Sequence, residues 1–329
     1  MPALLRRLLA SEPRVLAVLW LLLAAWPFAA PNDYLVSLGS TFLINLLLIA
    51  SLNLLVGNAG QIGLSHGAFF GIGAYTSGIL STTLGWSPWL GTLAALGAGA
   101  CIALLLGLPT LRLRGHSFAM ATLGFNAIVS VLLVGCVSLT GGPNGLIGVP
   151  SYALGSHSLD TPAAFYPVAW IATGVVMLGL LNLGRSRAGR ALRALSASDV
   201  AAACSGVPVF RYKLVAFTLA STFAALAGAL YVHQNNFASP DTFSFSTSVL
   251  LLVMVTVGGA GRFFGPLFGA LVYTVLPELM RSVDDLETLV VGVAMIAVVG
   301  FLPGGIVASV ARYVERMRKV QGSRDRRIP

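Results

Sequence analysis

VGNAGQIGLSHGAFFGIGAY, residues Val56 to Tyr75, sets a glycine-rich polar stretch between two long apolar runs. A glycine inside a helix costs about 1 kcal/mol relative to alanine, so a stretch like this favours a broken backbone over a continuous helix. A near copy, VGGAGRFFGPLFGALVY (Val257 to Tyr273), begins 201 residues later. With a one-residue gap, both read V-G-x-A-G, then Gly, then Gly-Ala, then Tyr. Interrupted helices at matching points of two repeats are a recurrent device for lining a path through a membrane. Glycine-lined packing faces between helices, or chance similarity between Gly/Ala-rich segments, are the other readings.

The flanking runs place the chain in a membrane. Hydrophobic residues make up 57% of it and charged ones 9%, against about a quarter charged in soluble domains. From Val15 to Thr110 the only acidic or basic side chain is Asp33, and from Gly115 to Gly184 the only one is Asp160. A helix crosses the hydrocarbon core in about 20 residues, so each span holds several crossings, and a β-barrel would instead alternate over about ten. Apolar runs predict an all-α integral membrane protein with about ten crossings and no fewer than eight: 15–31, 35–57, 67–83, 88–109, 117–139, 163–183, 213–233, 246–257, 266–281 and 287–303. The two crossings beside Gly258 are short enough to be half-helices.

With the amino terminus in the cytosol, nineteen of the twenty Lys and Arg fall on the cytosolic side, and only Arg281 falls outside. That bias predicts both termini cytosolic. The net charge of +9 therefore marks topology and contact with anionic membrane lipid, not a nucleic-acid partner. Arg6 and Arg7 before an apolar stretch from Val15 to Trp26 resemble a signal peptide, read here as a retained signal-anchor helix. The three cysteines form no disulfide framework; Cys101 and Cys136, in predicted helices, and Cys204, in a cytosolic loop, read as small packing residues.

Two connections are long. The external one, Thr140 to Pro162, is rich in Gly, Pro, Ser and Asn, as a structured loop is. The cytosolic one, residues 184–212, carries an Ala/Leu/Arg-rich stretch from Ala188 to Cys204 that predicts one or two short amphipathic helices, stopped at Gly206 with Pro208 just beyond. Spacing alone fits a docking element and a lipid-surface helix with Arg187, Arg190 and Arg193 snorkelling equally well.

Candidate chemistry is sparse. GLSHG (Gly63 to Gly67) fits the hydrolase pattern G-x-S-x-G, with Ser65 beside His66. That pattern acts only on a strand-to-helix turn with a separate base, and here it lies between two membrane helices. No P-loop occurs, so ATP hydrolysis is not expected of this chain. No cysteine or histidine pair has metal-ligand spacing, and no cofactor is expected. Ion-coupled carriers place charges within crossings, whereas these crossings lack Asp, Glu, Lys and Arg apart from end positions such as Glu278 and Arg281. The polar residues Asn45, Asn53, Asn58, Gln61, Ser65 and Asn126 fit a neutral lined path, or else hydrogen bonds between helices.

SLNLLVGNAGQIGLSHGAFFGIGAY (Ser51–Tyr75), RGHSFAMATLGF (Arg114–Phe125), TGGPNGLIGVP (Thr140–Pro150), the SRAGRALRAL and D-V-A-A-x-x-x-G run (Ser186–Gly206) and GGAGRFFGPLFGA (Gly258–Ala270) occur in that order. Together they resemble the longer, M-type permease subunits of high-affinity branched-chain amino acid ABC transporters; urea permeases share much of the pattern. The resemblance implies one importer transmembrane domain over 1–329, in the bacterial inner membrane. A second permease subunit, two ATP-binding cassette subunits and a periplasmic substrate-binding protein would be its partners. It makes 184–212 a cytosolic coupling loop, with Arg187, Gly189, Arg190, Arg193, Asp199 and Gly206 seated on an ATPase, and 312–329 a basic tail. The glycine breaks then become path or hinge: Asn53, Gly57, Asn58, Gly60, Gln61, Gly63, Ser65, His66, Gly258 and Gly261. Ser196, Ala197 and Ser198 stand where relatives usually carry charge, so the polar contacts of that loop differ from theirs.

Overall fold

The structure, a computed structural model, describes residues 12–113, 115–155 and 157–280. Helix α1 (Glu12–Ala29) leads to α2 (Asp33–Asn53), which runs on into a π-helical turn at Leu54–Asn58. Then follow α3 (His66–Thr83), α4 (Pro88–Thr110), α5 (His116–Gly135) and the one-turn α6 (Val137–Thr140). The long external connection carries the two-residue strands β1 (Leu146–Ile147), β2 (Ala153–Leu154) and β3 (His157–Ser158). Next are α7 (Pro162–Arg185), α8 (Arg187–Ala197), α9 (Asp199–Cys204), α10 (Val209–Asn235), β4 (Phe237–Ala238), α11 (Phe245–Gly258) and α12 (Gly265–Met280). A helix stands at each apolar run read from the sequence up to Met280; the run at 287–303 and the tail at 312–329 lie outside the described residues.

Among the described residues, five helices are long and apolar enough to cross a membrane: Asp33–Asn58, Pro88–Thr110, His116–Gly135, Pro162–Arg185 and Val209–Asn235. Their outer faces carry bare apolar side chains such as Leu105, Val131 and Val175, each at least 65% exposed. Patches of this kind are rare on soluble monomers and suit contact with lipid. Helix α3 is different: Gly, Ser and Ala dilute its hydropathy, yet it is buried on nearly every side. It packs between α4 and α10, where Gly73 lies against the backbone of Ala225 and Gly228 against that of Phe70. Only small residues allow helices to approach so closely.

Strand-like pairings fix helix directions. Asn53 meets Arg262, Ile49 meets Gly269 and Asn45 meets Thr274, so α2 runs antiparallel to α12. Gly269 also touches Met254, and Gly258 touches Gly265, so α11 is antiparallel to α12 as well. Hence α2 and α11 enter their glycine breaks in the same direction. Gly67 lies at Ser248 and Gly71 at Phe243, which runs α3 back against α11.

The external connection is knitted to the helices. Strands β1 and β4 pair antiparallel, Leu146 with Ala238 and Ile147 with Phe237, and β2 pairs with β3. His233 of α10 bridges Ser77 of α3 at 2.7 Å and the Pro150 carbonyl at 2.7 Å. The Tyr152 ring lies tilted at 58° against His233, centroids 4.7 Å apart, and its hydroxyl shares a 2.6 Å hydrogen bond with Thr92 of α4. Burial pushes the Tyr152 phenol above its ordinary range, which keeps it a neutral bonding partner.

Two expectations need correction. The crossing read as 117–139 stops at Gly135: Cys136 departs from helical geometry, and α6 begins at Val137. Cys101, Cys136 and Cys204 are exposed, not packed in the interior; a small sulfur side chain on a lipid-facing helix meets hydrocarbon as readily as a core does.

Candidate functional site at the glycine breaks

The first break begins where α2 loosens. Its last turn widens to π geometry, with the Ala59 N–H bonding the Leu54 carbonyl at 3.1 Å and the Gln61 N–H reaching Leu55 at 3.0 Å. Gly60 then takes φ +66°, a left-handed conformation that costs other residues about 1–2 kcal/mol. Residues 59–65 run without helix until α3 starts at His66. The His66 Nε2 shares a 3.2 Å hydrogen bond with Ser51 Oγ, two turns back along α2. At 1.5 Å per residue the segment has thus climbed on the order of 10 Å from the level of Asn58. Non-helical backbone at such depth must find partners within the protein. The Leu64 N–H donates to Thr122 Oγ1 of α5 at 3.0 Å, and the Gly67 N–H to Ser248 Oγ of α11 at 2.8 Å.

The second break is tighter. Helix α11 ends at Gly258, Gly259 and Gly261 have φ of +113° and +76°, and α12 starts at Gly265. The two breaks touch. Asn53 Nδ2 donates to the Arg262 carbonyl at 3.1 Å, while the Gly261 N–H donates to Asn53 Oδ1 at 2.8 Å. A Cβ on Gly57 would overlap the backbone of Gly261. One amide therefore clamps the end of α2 to the other break.

The basic loop folds onto the same place. Ser186 caps α8 by accepting from the Gly189 N–H at 3.2 Å, and Ser198 caps α9 by accepting from Ala201 at 3.3 Å. Ser198 is extended, which divides the Ala/Leu/Arg stretch into two helices. Gly189 lies so close to Leu183 and Gly184 that any Cβ would overlap them, so α8 doubles back on α7. Arg193 Nη1 donates to the Gly184 carbonyl at 2.7 Å and Arg190 Nη1 to the Arg185 carbonyl at 3.3 Å. Asp199 forms an ion pair with Lys213 of α10. Gly206 has φ +79°, as a helix stop requires. Leu192 and Leu195 are buried, and a Cβ on Gly60 would stand 2.9 Å from Ser196 Cα.

Four of the hinge and coupling residues read from sequence converge. Asn53, Asn58, Gly261 and Arg193 line one cavity of about 320 Å³. Arg187 is exposed and takes no part in this cluster. Ser65 and His66 lie elsewhere, fully buried inside the helix bundle, and Gln61 lines a separate cavity of about 310 Å³ with Gly60, His116 and Lys213. Both amide atoms of Gln61, Ser65 Oγ, His66 Nδ1 and both amide atoms of Asn126 are buried with no hydrogen-bond partner among the described residues. Gly63 packs against Leu55 and Phe118. The polar set therefore divides: Asn45 and Asn53 join helices, whereas Gln61, Ser65 and Asn126 are left unpaired. Ser65 Oγ bonds no histidine among the described residues, His66 directs its Nε2 to Ser51, and no described strand precedes Ser65, so the hydrolase elbow is not formed.

Sequence reasoning missed Ser51, Thr122 and Ser248, and it marked Ser196 without foreseeing its contact with Gly60. The first three are small hydroxyls within apolar helices, whose partners are 15 to 181 residues away in sequence. Only their polarity inside apolar runs could have marked them.

Residues 34–299 match the family described as branched-chain amino acid transport system, permease component. The chain is 33% identical over 314 residues to the LivM permease protein of the high-affinity branched-chain amino acid transport system of Salmonella typhimurium, spanning 88% of this chain and 74% of LivM. It is 27% identical over 289 residues to LivH of the same kind of system in Escherichia coli K12, covering 82% of this chain and 92% of LivH. Ribose import permease protein RbsC of Escherichia coli K12 is 26% identical over 274 residues, 79% of this chain and 83% of its own length. No solved structure matches the chain.

Proposed function

The chain belongs to the branched-chain amino acid transport system permease family, and on that premise we propose that it forms the path by which an ATP-driven importer carries branched-chain amino acids across the inner membrane. ATP hydrolysis falls to two partner cassette subunits, substrate capture to a periplasmic binding protein, and the other half of the path to a second permease. Ten crossings with both termini cytosolic fit the positive-inside bias, which puts the glycine breaks and α8–α9 on the ATPase side. The shared direction of α2 and α11 supports a parallel internal repeat.

The observation that carries the mechanism is the contact of α8 with the first break, Gly60 against Ser196, and of that break with the second through Asn53. Motion of α8–α9 under a closing ATPase pair would move Ser196, and with it Gly60, the π turn of α2 and the second break as one body. A single π turn of this kind is rare within α-helices and frequent at functional sites. The unpaired Gln61, Ser65 and Asn126 lie along the segment this motion would displace, where exposure would supply neutral polar groups to a substrate in transit. No covalent step is involved.

The test is reconstitution of the whole importer in vesicles with its binding protein. ATP-dependent uptake of radiolabelled leucine that survives collapse of ion gradients is the expected result. Uptake of urea instead of leucine, or dependence on an ion gradient, would overturn the assignment.

A further inference from the structure

The cavity of about 310 Å³ beside the first break lies between the stretch from Gly60 to Ile62, the loop before α5 and the first turn of α5, and its size is at the small end of the range for ligand pockets. One wall is the amide of Gln61, a residue only 5% exposed, whose Nε2 and Oε1 both lack a hydrogen-bond partner among the described residues. Another is the amino terminus of α5, since Gly115, His116, Phe118 and Ala119 all line the space. No described side chain caps that helix, and a Cβ on Gly115 would meet open space. The first N–H groups of a helix have no partner within it. Ile62, Leu111 and Leu113 make the other walls apolar. Lys213 also borders the cavity, but its ammonium is already paired with Asp199.

These walls select for a particular chemistry. Free N–H groups at the positive end of a helix dipole attract a carboxylate. The Gln61 amide adds donors and, on its oxygen, an acceptor that an ammonium group satisfies. The apolar walls suit an aliphatic side chain. Water would satisfy the amide but leave those walls wet, an inorganic anion would leave both the walls and the Gln61 oxygen unused, and a hydrocarbon chain would strand the amide.

We propose that this cavity binds one free branched-chain amino acid from the cytosolic side. Its carboxylate would lie at the α5 terminus and Gln61 Nε2, its ammonium on Gln61 Oε1 and its side chain against Ile62 and Leu113. The choice of amino acid rests on the transport reading above, and the charge bias puts this end of the bundle in the cytosol. Gly60 is both a wall of this site and the residue that meets Ser196. A bound amino acid therefore braces the first break against the displacement that uptake requires, and accumulated product slows its own import.

The test uses the purified importer complex without its binding protein, held in lipid nanodiscs and titrated with radiolabelled L-leucine. Saturable binding is expected, competed by isoleucine but not by leucinamide, which lacks the carboxylate, or by glycine, which lacks the side chain. Gln61→Leu should weaken it roughly tenfold or more, as loss of a hydrogen bond to a charged group predicts. Leu113→Glu, at a position 45% exposed where a substitution is tolerated by the fold, should weaken it as well by replacing an apolar wall with a charge. In vesicles, leucine enclosed together with ATP should slow wild-type uptake several-fold and slow Leu113→Glu uptake little. Binding equal to wild type in both variants overturns the proposal. So does displacement of leucine by inorganic phosphate at matched concentration, which would mean that the cavity takes an anion alone. Leucine uptake without saturable binding overturns the site and leaves the transport reading standing; saturable binding without leucine uptake overturns the transport reading and leaves the site.

Discussion

Asn53 is the residue on which the two breaks depend. Its amide spends a donor on Arg262 and an acceptor on Gly261, and no side chain other than a primary amide offers both in that space. Asn53→Leu keeps the volume but removes both bonds and strands a partly buried N–H, a loss on the order of 1 kcal/mol. The expected outcome is a complex that assembles yet melts earlier and takes up substrate poorly; wild-type melting and uptake would count against the clamp. Glycines near it differ in tolerance. Gly57→Ala sets a methyl into the Gly261 backbone, overpacking that costs about 1–3 kcal/mol. At Gly63 the nearest atoms belong to the Leu55 and Phe118 side chains, the closest at 3.1 Å, and these can rotate aside. Uptake should therefore fall sharply in the first variant and persist in the second, and equal activity of the two would refute the contact. These glycines could be found in the sequence by their repeat, but which of them touch backbone could not.

At the scale of elements, α8 and α9 pack on each other, on the adjoining ends of α7 and α10 and, through α8, on the π turn of the first break. Their amphipathic pattern was legible because Leu192 and Leu195 fall on one face, while the division at Ser198 was hidden in a run that could have been one helix. Gly189→Pro removes the N–H that Ser186 caps and adds atoms against Leu183. Asp199→Arg places like charge beside Lys213. In both variants ATP hydrolysis by the assembled complex should continue while uptake is lost. Measured in the same vesicles, tight coupling in both would rule out this element as the transmitter. The sequence placed α3 within a residue of its true start but gave no sign of how deeply it is buried, since the Gly, Ser and Ala that lower its hydropathy are what let α10 and α4 approach its axis. Periodicity reads the surface of a helix, and α3 has almost none.

At the scale of the molecule, the chain is closed at one end by a knit external connection and loosened at the other by two glycine turns. His233 ties the cap to the bundle by bonding both Ser77 and the Pro150 carbonyl. His233→Leu should free the connection from 140 to 160 without unfolding the helices. Faster proteolysis confined to that connection, together with weaker stimulation of uptake by the binding protein, is the expected pair of results. Resistance equal to wild type would show that the strand pairing alone holds the cap.

Composition, charge bias and apolar run length determined that this chain is helical and lies in a membrane, because burial in hydrocarbon acts on every residue and leaves a statistical trace. The same logic located the two breaks, since glycine repeats at a distance are visible in one dimension. Only the tertiary structure decided that the breaks meet each other, that Ser196 rests on Gly60, and that Asn53 is paired while Gln61 and Asn126 are not. Hydrogen bonds between residues some 200 positions apart depend on helix direction and rotation, which packing of small residues sets and no local pattern encodes.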